Sequence, residues 1–404
     1  MTGPRPGYLH DYYWEAGFSP TFGAFRTQAD LDRHAALRAR VFIERLQLPP
    51  GLFRNARVVE FGPDSGENAL VFARWGAKLE LLEPNTKVWP LLRQYFEHFG
   101  LSAQLASLTA STIQDYEAQE PADFVVAEGF IHTVKPESAW IRVVEKTVVP
   151  GGYLILFYYE RTSILVELLQ AAAYQEASRL TNKRGVETAR RLYGAKWDAI
   201  PHTRPFVSWM KDVLENPYTG TKFTLDAATL VADLSAAGFS LHQSWPRYRN
   251  ELRMAWHKSP ESSDDVMAEV HQHLPRVALA YALGISLYSV GSEEDTAAIR
   301  ALLDRLLLGG DAAFSAGGDE VWRELAADLA RLAQIVSDSS RVFAPEPKTR
   351  AAAIDVAKAL STLCTHLGNR DIDALAAFTS ADPTFIRTWG QPAHLAVFRR
   401  QAKA

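Results

Sequence analysis

The residue types and spacing most suited to chemistry lie in the segment VVEFGPDSGENAL, where a short apolar run carries an acidic residue and then passes through two glycines. Gly62 allows a sharp turn, and Gly66 allows the backbone to approach a bound ligand because it carries no Cβ. Glu60 stands just before this turn. The segment is typical of a loop that binds a nucleotide-containing cofactor.

A second acidic residue helps to decide which cofactor this is. A dinucleotide loop has the spacing G-x-G-x-x-G, whereas here Asp64 stands between Gly62 and Gly66, so NAD fits poorly. Glu83 ends the next apolar run, LELLE. In nucleotide-binding α/β folds, a carboxylate about 20 residues beyond the glycine loop accepts hydrogen bonds from ribose hydroxyls.

The loop resembles motif I of class I S-adenosylmethionine-dependent methyltransferases, E/D-x-G-x-G-x-G. It is more similar still to the EFGPGSG variant of bacterial enzymes that modify glycans and small metabolites. Asp64 and Asn68 replace two glycines of the strict pattern. The resemblance implies S-adenosyl-L-methionine as cofactor. The cofactor-binding residues that we predict are Glu60, Gly62, Pro63, Gly66, Glu83, Asn85, Ser111, Thr112 and Glu128.

Candidates for catalysis follow the run ADFVVAE, which ends in Glu128 and continues to His132. Ligands of open α/β sheets bind at the carboxyl ends of the strands, so both side chains could reach a methyl acceptor. A hydroxyl acceptor benefits from a base of near-neutral pKa, which favours histidine. The alternative is a structural His132, packed under the cofactor or capping the next helix.

Four residues are candidates for binding the acceptor: Tyr158, Tyr159, His202 and Arg204. Aromatic side chains with polar tips beside a cation suit a polar, sugar-like or anionic acceptor. The alternative is that these residues pack in the core or form a surface pair such as Arg204 with Asp212. No histidine pair has the spacing of a metal site, so we predict a metal-free reaction.

An α/β sheet is needed to bring these residues together. β-rich runs at 57–61, 78–83, 122–128 and 152–159 alternate with helical patterns, which predicts a parallel sheet. GFSLHQSW (238–245) and ELRMAWH (251–257) are joined so briefly that they must be antiparallel. We therefore expect an α/β fold with a seven-stranded doubly wound sheet whose last strand is antiparallel, an inserted helical cap and an all-helical C-terminal domain.

The domain boundaries follow from changes in pattern. We expect an aromatic N-terminal segment (1–26) lying on the main domain, a methyltransferase domain (27–259) with a helical cap at about 160–235, and a helical C-terminal domain (260–404). A helix should run from about Ala29 to Leu46, after a capping box at Thr27 and Asp30, with Leu37, Val41 and Phe42 on one side. The amphipathic C-terminal helices predict a homodimer or a wall of the acceptor pocket.

Charge, cysteine content and hydropathy indicate which kinds of partner and which cellular compartment to expect. The formal net charge is −4 with scattered Lys and Arg, so a nucleic acid is not expected as substrate. Cys364 is the only cysteine, which excludes an intrachain disulfide and indicates a reducing compartment. No apolar run is long enough to span a membrane. We expect a cytoplasmic protein.

The sequence therefore predicts an enzyme that methylates a hydroxyl of a sugar, glycan or other polar small molecule. N-methylation of a natural-product or amino-acid-like metabolite is the alternative. A further alternative, from a different class, is a non-catalytic protein that binds the cofactor or acts as a scaffold.

Overall fold

The computed structural model describes residues 9–16, 25–200, 203–250, 262–286, 288–289, 293–338, 342–343 and 347–402. The chain forms two compact units. The first comprises Met1–Tyr158, Ala227–Val270 and His394–Ala404, and the second comprises Tyr159–Asp226 and His271–Ala393.

Both units contain helices. In chain order they are α1 (Leu9–Ala16), α2 (Gln28–Glu44), α3 (Glu67–Arg74), α4 (Trp89–His98), α5 (Glu137–Thr147), α6 (Leu165–Thr181), α7 (Val186–Asp198), α8 (Phe206–Trp209), α9 (Ala227–Ala236), α10 (Ser263–Leu283), α11 (Glu293–Ser315), α12 (Asp319–Asp338), α13 (Pro347–Gly368), α14 (Ile372–Ala381) and α15 (Pro383–Arg387). A π-helical turn, Met210–Leu214, follows α8, and short 3₁₀ turns lie at Pro50–Phe53, Ser102–Gln104, Ile131–Thr133 and Thr221–Phe223.

The first unit contains a sheet of seven strands. They are β1 (Arg57–Phe61), β2 (Lys78–Leu82), β3 (Leu105–Thr109), β4 (Ala122–Glu128), β5 (Val148–Tyr159), β6 (Phe239–Trp245) and β7 (Ala393–Arg400). Their order in the sheet is β3-β2-β1-β4-β5-β7-β6. The pairs among β1 to β5 are parallel, and β7 runs antiparallel to β6. The expected seven-stranded sheet with one antiparallel strand is confirmed.

The antiparallel strand comes from an unexpected part of the chain. Residues 251–257, where the sequence analysis placed it, lie outside the described residues. The strand beside β6 is instead Ala393–Arg400, which pairs with β6 from Phe239↔Arg400 to Trp245↔Leu395. Its HLAVF run is buried, as expected for a strand inside a sheet, and it follows the helices that we had assigned to a C-terminal domain.

Helix α2 packs against α3 and the 3₁₀ turn Pro50–Phe53. The expected capping box is present: the Thr27 hydroxyl accepts from the Asp30 N–H at 3.3 Å, and the Asp30 carboxylate accepts from the Thr27 N–H at 2.9 Å. The buried face is Leu31, Ala35 and Phe42, whereas Leu37 is 59% exposed. The prediction that Leu37 shares one side of the helix with Phe42 was wrong, because a period of 3.6 residues from Leu31 turns position 37 towards solvent.

The second unit is helical, apart from two paired two-residue strands, Tyr288–Ser289 and Val342–Phe343. Helix α6 is its centre, because it is buried on nearly all sides. The α12 residues Leu325, Leu329, Leu332 and Val336 are buried in the same core, as their spacing indicated. Helix α6 packs against α11, and α7 packs against α14. The helices at 165–214 and at 293–387 thus share one hydrophobic core.

A lysine lies inside this core. Lys196 on α7 donates from Nζ to the carbonyl oxygens of Phe385, at 2.6 Å, and of Thr388. The same ammonium lies 4.3 Å from the centre of the Trp389 ring. Burial lowers the pKa of Lys196 to about 7.

No helix in the described ranges is long and apolar enough to cross a membrane.

Candidate functional site

The site lies at the carboxyl ends of three adjacent strands. In the order β2-β1-β4, Phe61 at the end of β1 pairs with Leu82 on one side and with Ala127 on the other. Because the strands are parallel and in register, Glu60, Glu83 and Glu128 come to the same edge of the sheet. The sequence prediction that these carboxylates share one edge is met by this register.

The loop between β1 and α3 keeps a left-handed backbone at three alternating positions. The φ angles are 62° at Gly62, 52° at Asp64 and 90° at Gly66. Aspartate tolerates this conformation better than most residues, so replacing the motif's second glycine with Asp64 preserves the shape of the loop. A Cβ at position 62 would lie 2.9 Å from the ring of Phe130. Glycine is therefore required there by both conformation and space.

Glu83 ties this loop to the segment after β2. Its carboxylate accepts hydrogen bonds from the backbone N–H of Asp64 at 2.9 Å and of Asn85 at 2.7 Å. Burial raises the pKa of Glu83 to about 7, and the two backbone donors act in the opposite direction. Asn85 is buried, and its side-chain oxygen accepts from the Lys87 N–H at 3.2 Å. A buried carboxylate in this position suits the hydroxyls of a ribose.

Glu60 is a buried carboxylate with an unsatisfied oxygen. Only 2% of the residue is exposed, and Oε2 has no hydrogen-bond partner among the described residues. Burial raises the pKa of Glu60 to about 8; the charge of Glu128 adds to this increase, and the charge of Arg38 opposes it. A buried carboxylate is stabilised by a cation, so Glu60 fits the ammonium group of an amino acid.

Glu128 is already held by two donors. It accepts from the guanidinium of Arg38 at 3.0 Å and from the amide of Asn68 at 2.8 Å. Asn68 in turn contacts Nε2 of His34 at 3.1 Å. The sequence analysis missed Arg38, although a polar residue on the buried face of an amphipathic helix is a signal that could have identified it.

The segment after β3 lies next to Glu83, whose N–H donates to the carbonyl oxygen of Thr109 at 3.0 Å. Ser111 and Thr112 are partly buried. The Ser111 hydroxyl donates to the Thr112 carbonyl oxygen at 2.9 Å, and the Thr112 hydroxyl donates to Asp115 at 2.6 Å. Both residues follow β3 at the edge where Glu83 lies, and their role in binding the cofactor stays a prediction.

His132 lies in the 3₁₀ turn Ile131–Thr133, just after β4, and is 5% exposed. Burial lowers the pKa of His132 to about 3, with a smaller contribution from the charge of Lys135. The imidazole is therefore neutral throughout the physiological range. A base with so low a pKa is weak, so His132 is better suited to orienting a hydroxyl by a hydrogen bond than to removing its proton.

The acceptor candidates fall in both units. In the first unit, the hydroxyl of buried Tyr158 lies 2.5 Å from that of Tyr248, which lies 3.0 Å from Nδ1 of His394. Tyr158 is thus part of a buried hydrogen-bonded chain that the sequence analysis did not anticipate. His202 lies outside the described residues.

In the second unit, Tyr159 and Arg204 belong to one charged cluster. Arg204 forms an ion pair with Asp212 at 2.7 Å. Burial raises the pKa of Tyr159 well above its ordinary value, and the charges of Glu167 and Asp212 add to this. Burial raises the pKa of Glu167 to about 8, followed by the charge of Asp212, while Arg204 acts in the opposite direction. The sequence analysis missed Glu167.

The residues at the sheet edge fit S-adenosylmethionine. Glu83 can accept hydrogen bonds from ribose hydroxyls, and the unsatisfied oxygen of Glu60 can face the ammonium of the methionine part. The glycine loop lets the backbone approach the ligand. This site on a seven-stranded sheet of this order defines a class I S-adenosylmethionine-dependent methyltransferase.

Comparison with family models identifies the family directly. A model described as "Methyltransferase domain" matches residues 31–244, which is more than half of the chain. The protein belongs to this methyltransferase family and is an enzyme. No curated protein matches the sequence.

Similar solved structures include three methyltransferases. PKMT2 from Rickettsia typhi, in complex with AdoHcy, is 15% identical over 55% of this chain and 46% of that chain, with a TM-score of 0.39. The glycopeptide N-methyltransferase MtfA complexed with S-adenosyl-L-methionine is 19% identical over 30% of this chain and 54% of its own, with a TM-score of 0.27. The StiE O-methyltransferase segment 961–1257 is 16% identical over 33% and 44%, with a TM-score of 0.26. The chain spans about half the length of these structures.

Proposed function

We propose that this enzyme methylates a hydroxyl group of a polar small molecule, with a sugar or glycan intermediate as the first choice. The observation that carries the proposal lies at the carboxyl end of β4, where His132 is neutral and Glu128 is already engaged by Arg38. A neutral imidazole can accept a hydrogen bond from a hydroxyl. A Glu128 that is already paired has little attraction left for an ammonium acceptor.

Methyl transfer to a hydroxyl requires little covalent chemistry from the protein itself. When bound, the cofactor supplies a methyl group on a sulfonium sulfur, which an acceptor oxygen displaces in line. The protein must hold the oxygen on the axis of the breaking bond, and orientation of this kind accounts for much of a displacement's acceleration. His132 orients the hydroxyl, and the proton leaves to water.

A second candidate, N-methylation, is favoured by the charged cluster of the helical unit. Arg204 is paired with Asp212, and burial raises the pKa of Glu167 to about 8, so Glu167 is a largely protonated carboxyl beside a balanced ion pair. An amine bound there could take the Glu167 proton to form an ion pair and would give the proton up again before its lone pair accepts a methyl group. An amine acceptor bound there would lower the pKa of Glu167.

A turnover assay with methyl-labelled cofactor over matched sugars and amines separates the two candidates. For O-methylation, hydroxyl acceptors are labelled and His132→Gln slows their turnover, whereas Glu167→Gln has little effect on it. For N-methylation, amines are labelled and Glu167→Gln raises their KM. Binding of the cofactor without labelling of any acceptor would support the third alternative, a non-catalytic protein.

Three narrower proposals accompany this one. The reaction needs no metal, so EDTA should leave turnover unchanged, and restoration by a divalent ion of activity lost in EDTA would contradict this. The helical unit forms a homodimer, which sedimentation equilibrium tests. The protein acts in the cytoplasm, which localisation of a tagged chain tests.

A further inference from the structure

The aromatic helix α1 is too short to be stable by itself. It has eight residues, Leu9–Ala16, and isolated helices shorter than about 12 residues are marginal in water. Leu9 is only 5% exposed, so one side of the helix is packed. The helical state of α1 therefore depends on the residues that hold it in place.

Lys87 holds the C-terminal end of α1. Its ammonium donates to the carbonyl oxygen of Trp14 at 3.0 Å and lies 4.2 Å from the centre of the Trp14 ring. The last four carbonyl groups of a helix lack intrahelical donors, and the helix dipole favours a cation at this end. The ring adds a cation–π attraction. Lys87 thus caps α1 from a position 73 residues further along the chain.

The same lysine belongs to the segment that follows β2 and carries the carboxylate expected to bind ribose. Glu83 accepts from the Asn85 N–H at 2.7 Å, and the side-chain oxygen of Asn85 accepts from the Lys87 N–H at 3.2 Å. The ammonium of Lys87 then reaches Trp14. A continuous series of hydrogen bonds therefore connects the ribose carboxylate to α1, and all four residues lie in the first unit.

We propose that α1 is a strap docked through Lys87, and that docking of this strap and binding of the cofactor stabilise each other. A ribose that engages Glu83 restricts the motion of residues 83–87, so Lys87 loses less freedom when it caps α1. By linkage, the docked strap strengthens cofactor binding by the same factor. The inference rests on the cofactor and not on the identity of the acceptor.

Amide hydrogen exchange read by mass spectrometry tests the strap, because it reports local opening of a short helix. Exchange of residues 9–16 is measured with and without S-adenosylhomocysteine in wild type, Lys87→Met and Lys78→Met. Lys78 is the matched control: it is also an exposed lysine whose ammonium donates to a backbone carbonyl oxygen, that of Ala103 at 3.1 Å, but it lies at the start of β2. Calorimetry gives the affinity of each variant for the ligand.

We expect S-adenosylhomocysteine to slow the exchange of residues 9–16 in wild type by about fivefold or more, the lower end of typical couplings between two sites. In Lys87→Met the ligand should slow exchange by less than about twofold, and its affinity should fall by up to the factor that the exchange loses, because the coupling is reciprocal. Lys78→Met should behave as wild type. Lys87→Arg, which keeps the cation and its donors, should retain most of the effect.

The opposing outcomes are distinct. If S-adenosylhomocysteine binds wild type but leaves the exchange of residues 9–16 unchanged, the strap is overturned and the cofactor assignment stays intact. The same holds if Lys87→Met keeps the full protection, or if it abolishes binding, which would make Lys87 a direct contact of the cofactor. Failure of wild type to bind the ligand would overturn both.

A second variant covers the case in which circular dichroism shows Lys87→Met to be unfolded. Trp14→Leu removes the ring beside the ammonium and keeps the backbone carbonyl group. It should lower the ligand-induced protection of residues 9–16 in part. Full protection in this variant would contradict docking of α1 through Lys87.

Discussion

Cofactor binding should release a proton, and Glu60 should be its main source. Burial raises the pKa of Glu60 to about 8 in the free protein, so at pH 7 the carboxyl is protonated in roughly ten molecules of every eleven. A bound ammonium group favours the ionised form. Binding of S-adenosylhomocysteine at pH 7 should therefore release about 0.9 proton from Glu60.

The same pKa sets the pH dependence of affinity. The ionised fraction of Glu60 rises between pH 7 and 8, so the dissociation constant should fall roughly fivefold over that interval. Glu83, with a pKa of about 7, adds a factor of about two because half of it is already ionised at pH 7. In Glu60→Gln only this smaller factor should remain.

Calorimetry in phosphate and in Tris at pH 7 measures the released protons, because the two buffers differ in ionisation enthalpy. Glu97→Gln, which removes an exposed carboxyl from α4, is the control and should behave as wild type. A wild-type binding enthalpy that is the same in both buffers, or a Glu60→Gln variant that releases as many protons as wild type, would refute the reasoning.

Further predictions concern three other residues. Glu83→Ala should weaken S-adenosylhomocysteine binding by about ten- to a hundredfold in calorimetry, and unchanged affinity in a folded variant would remove Glu83 from the ribose role. His132→Gln should leave that affinity within about twofold and slow methylation by about tenfold, the value of one hydrogen bond; it should not change the shape of the pH–rate profile between pH 5 and 8, because the pKa of His132 is about 3. Lys196 has a folded-state pKa of about 7, below the ordinary 10.5, so the unfolded state binds more protons between these values and stability should rise with pH there. The melting temperature of wild type minus that of Lys196→Met should therefore increase from pH 7 to pH 9, and a constant difference would contradict this.

The parts of the fold with strong local patterns were predictable from sequence. The run RVVEF and the glycine turn after it placed β1 and its loop correctly, and the Thr27 capping box placed the start of α2. These features depend on residues near each other in the chain. The sequence also predicted that the Glu60 and Glu83 carboxylates lie at the same edge of the sheet, because the carboxyl ends of parallel strands in a doubly wound sheet lie together.

The missed features depend on contacts between distant residues. Arg38 meets Glu128 across a sequence separation of 90 residues, and Tyr158 meets Tyr248 and His394 only through the order of β5, β7 and β6. The periodicity of apolar residues along a helix or strand gives no information about which distant residues pair with each other. The low pKa of His132 could not be predicted from the sequence either, since it is caused by burial of the side chain and not by the residue type.

Because β7 lies near the C-terminal end of the given chain but in the interior of the sheet, the sheet cannot be completed until this late segment has been synthesised. Residues 393–400 fill the gap between β5 and β6, so both neighbours leave the ribosome long before the strand that joins them. Until then each presents a row of unpaired N–H and C=O groups, which is a template for pairing with other chains. Any fragment cut before residue 393 carries two open edges in the middle of its sheet and should aggregate, even though it contains every cofactor-binding residue named above.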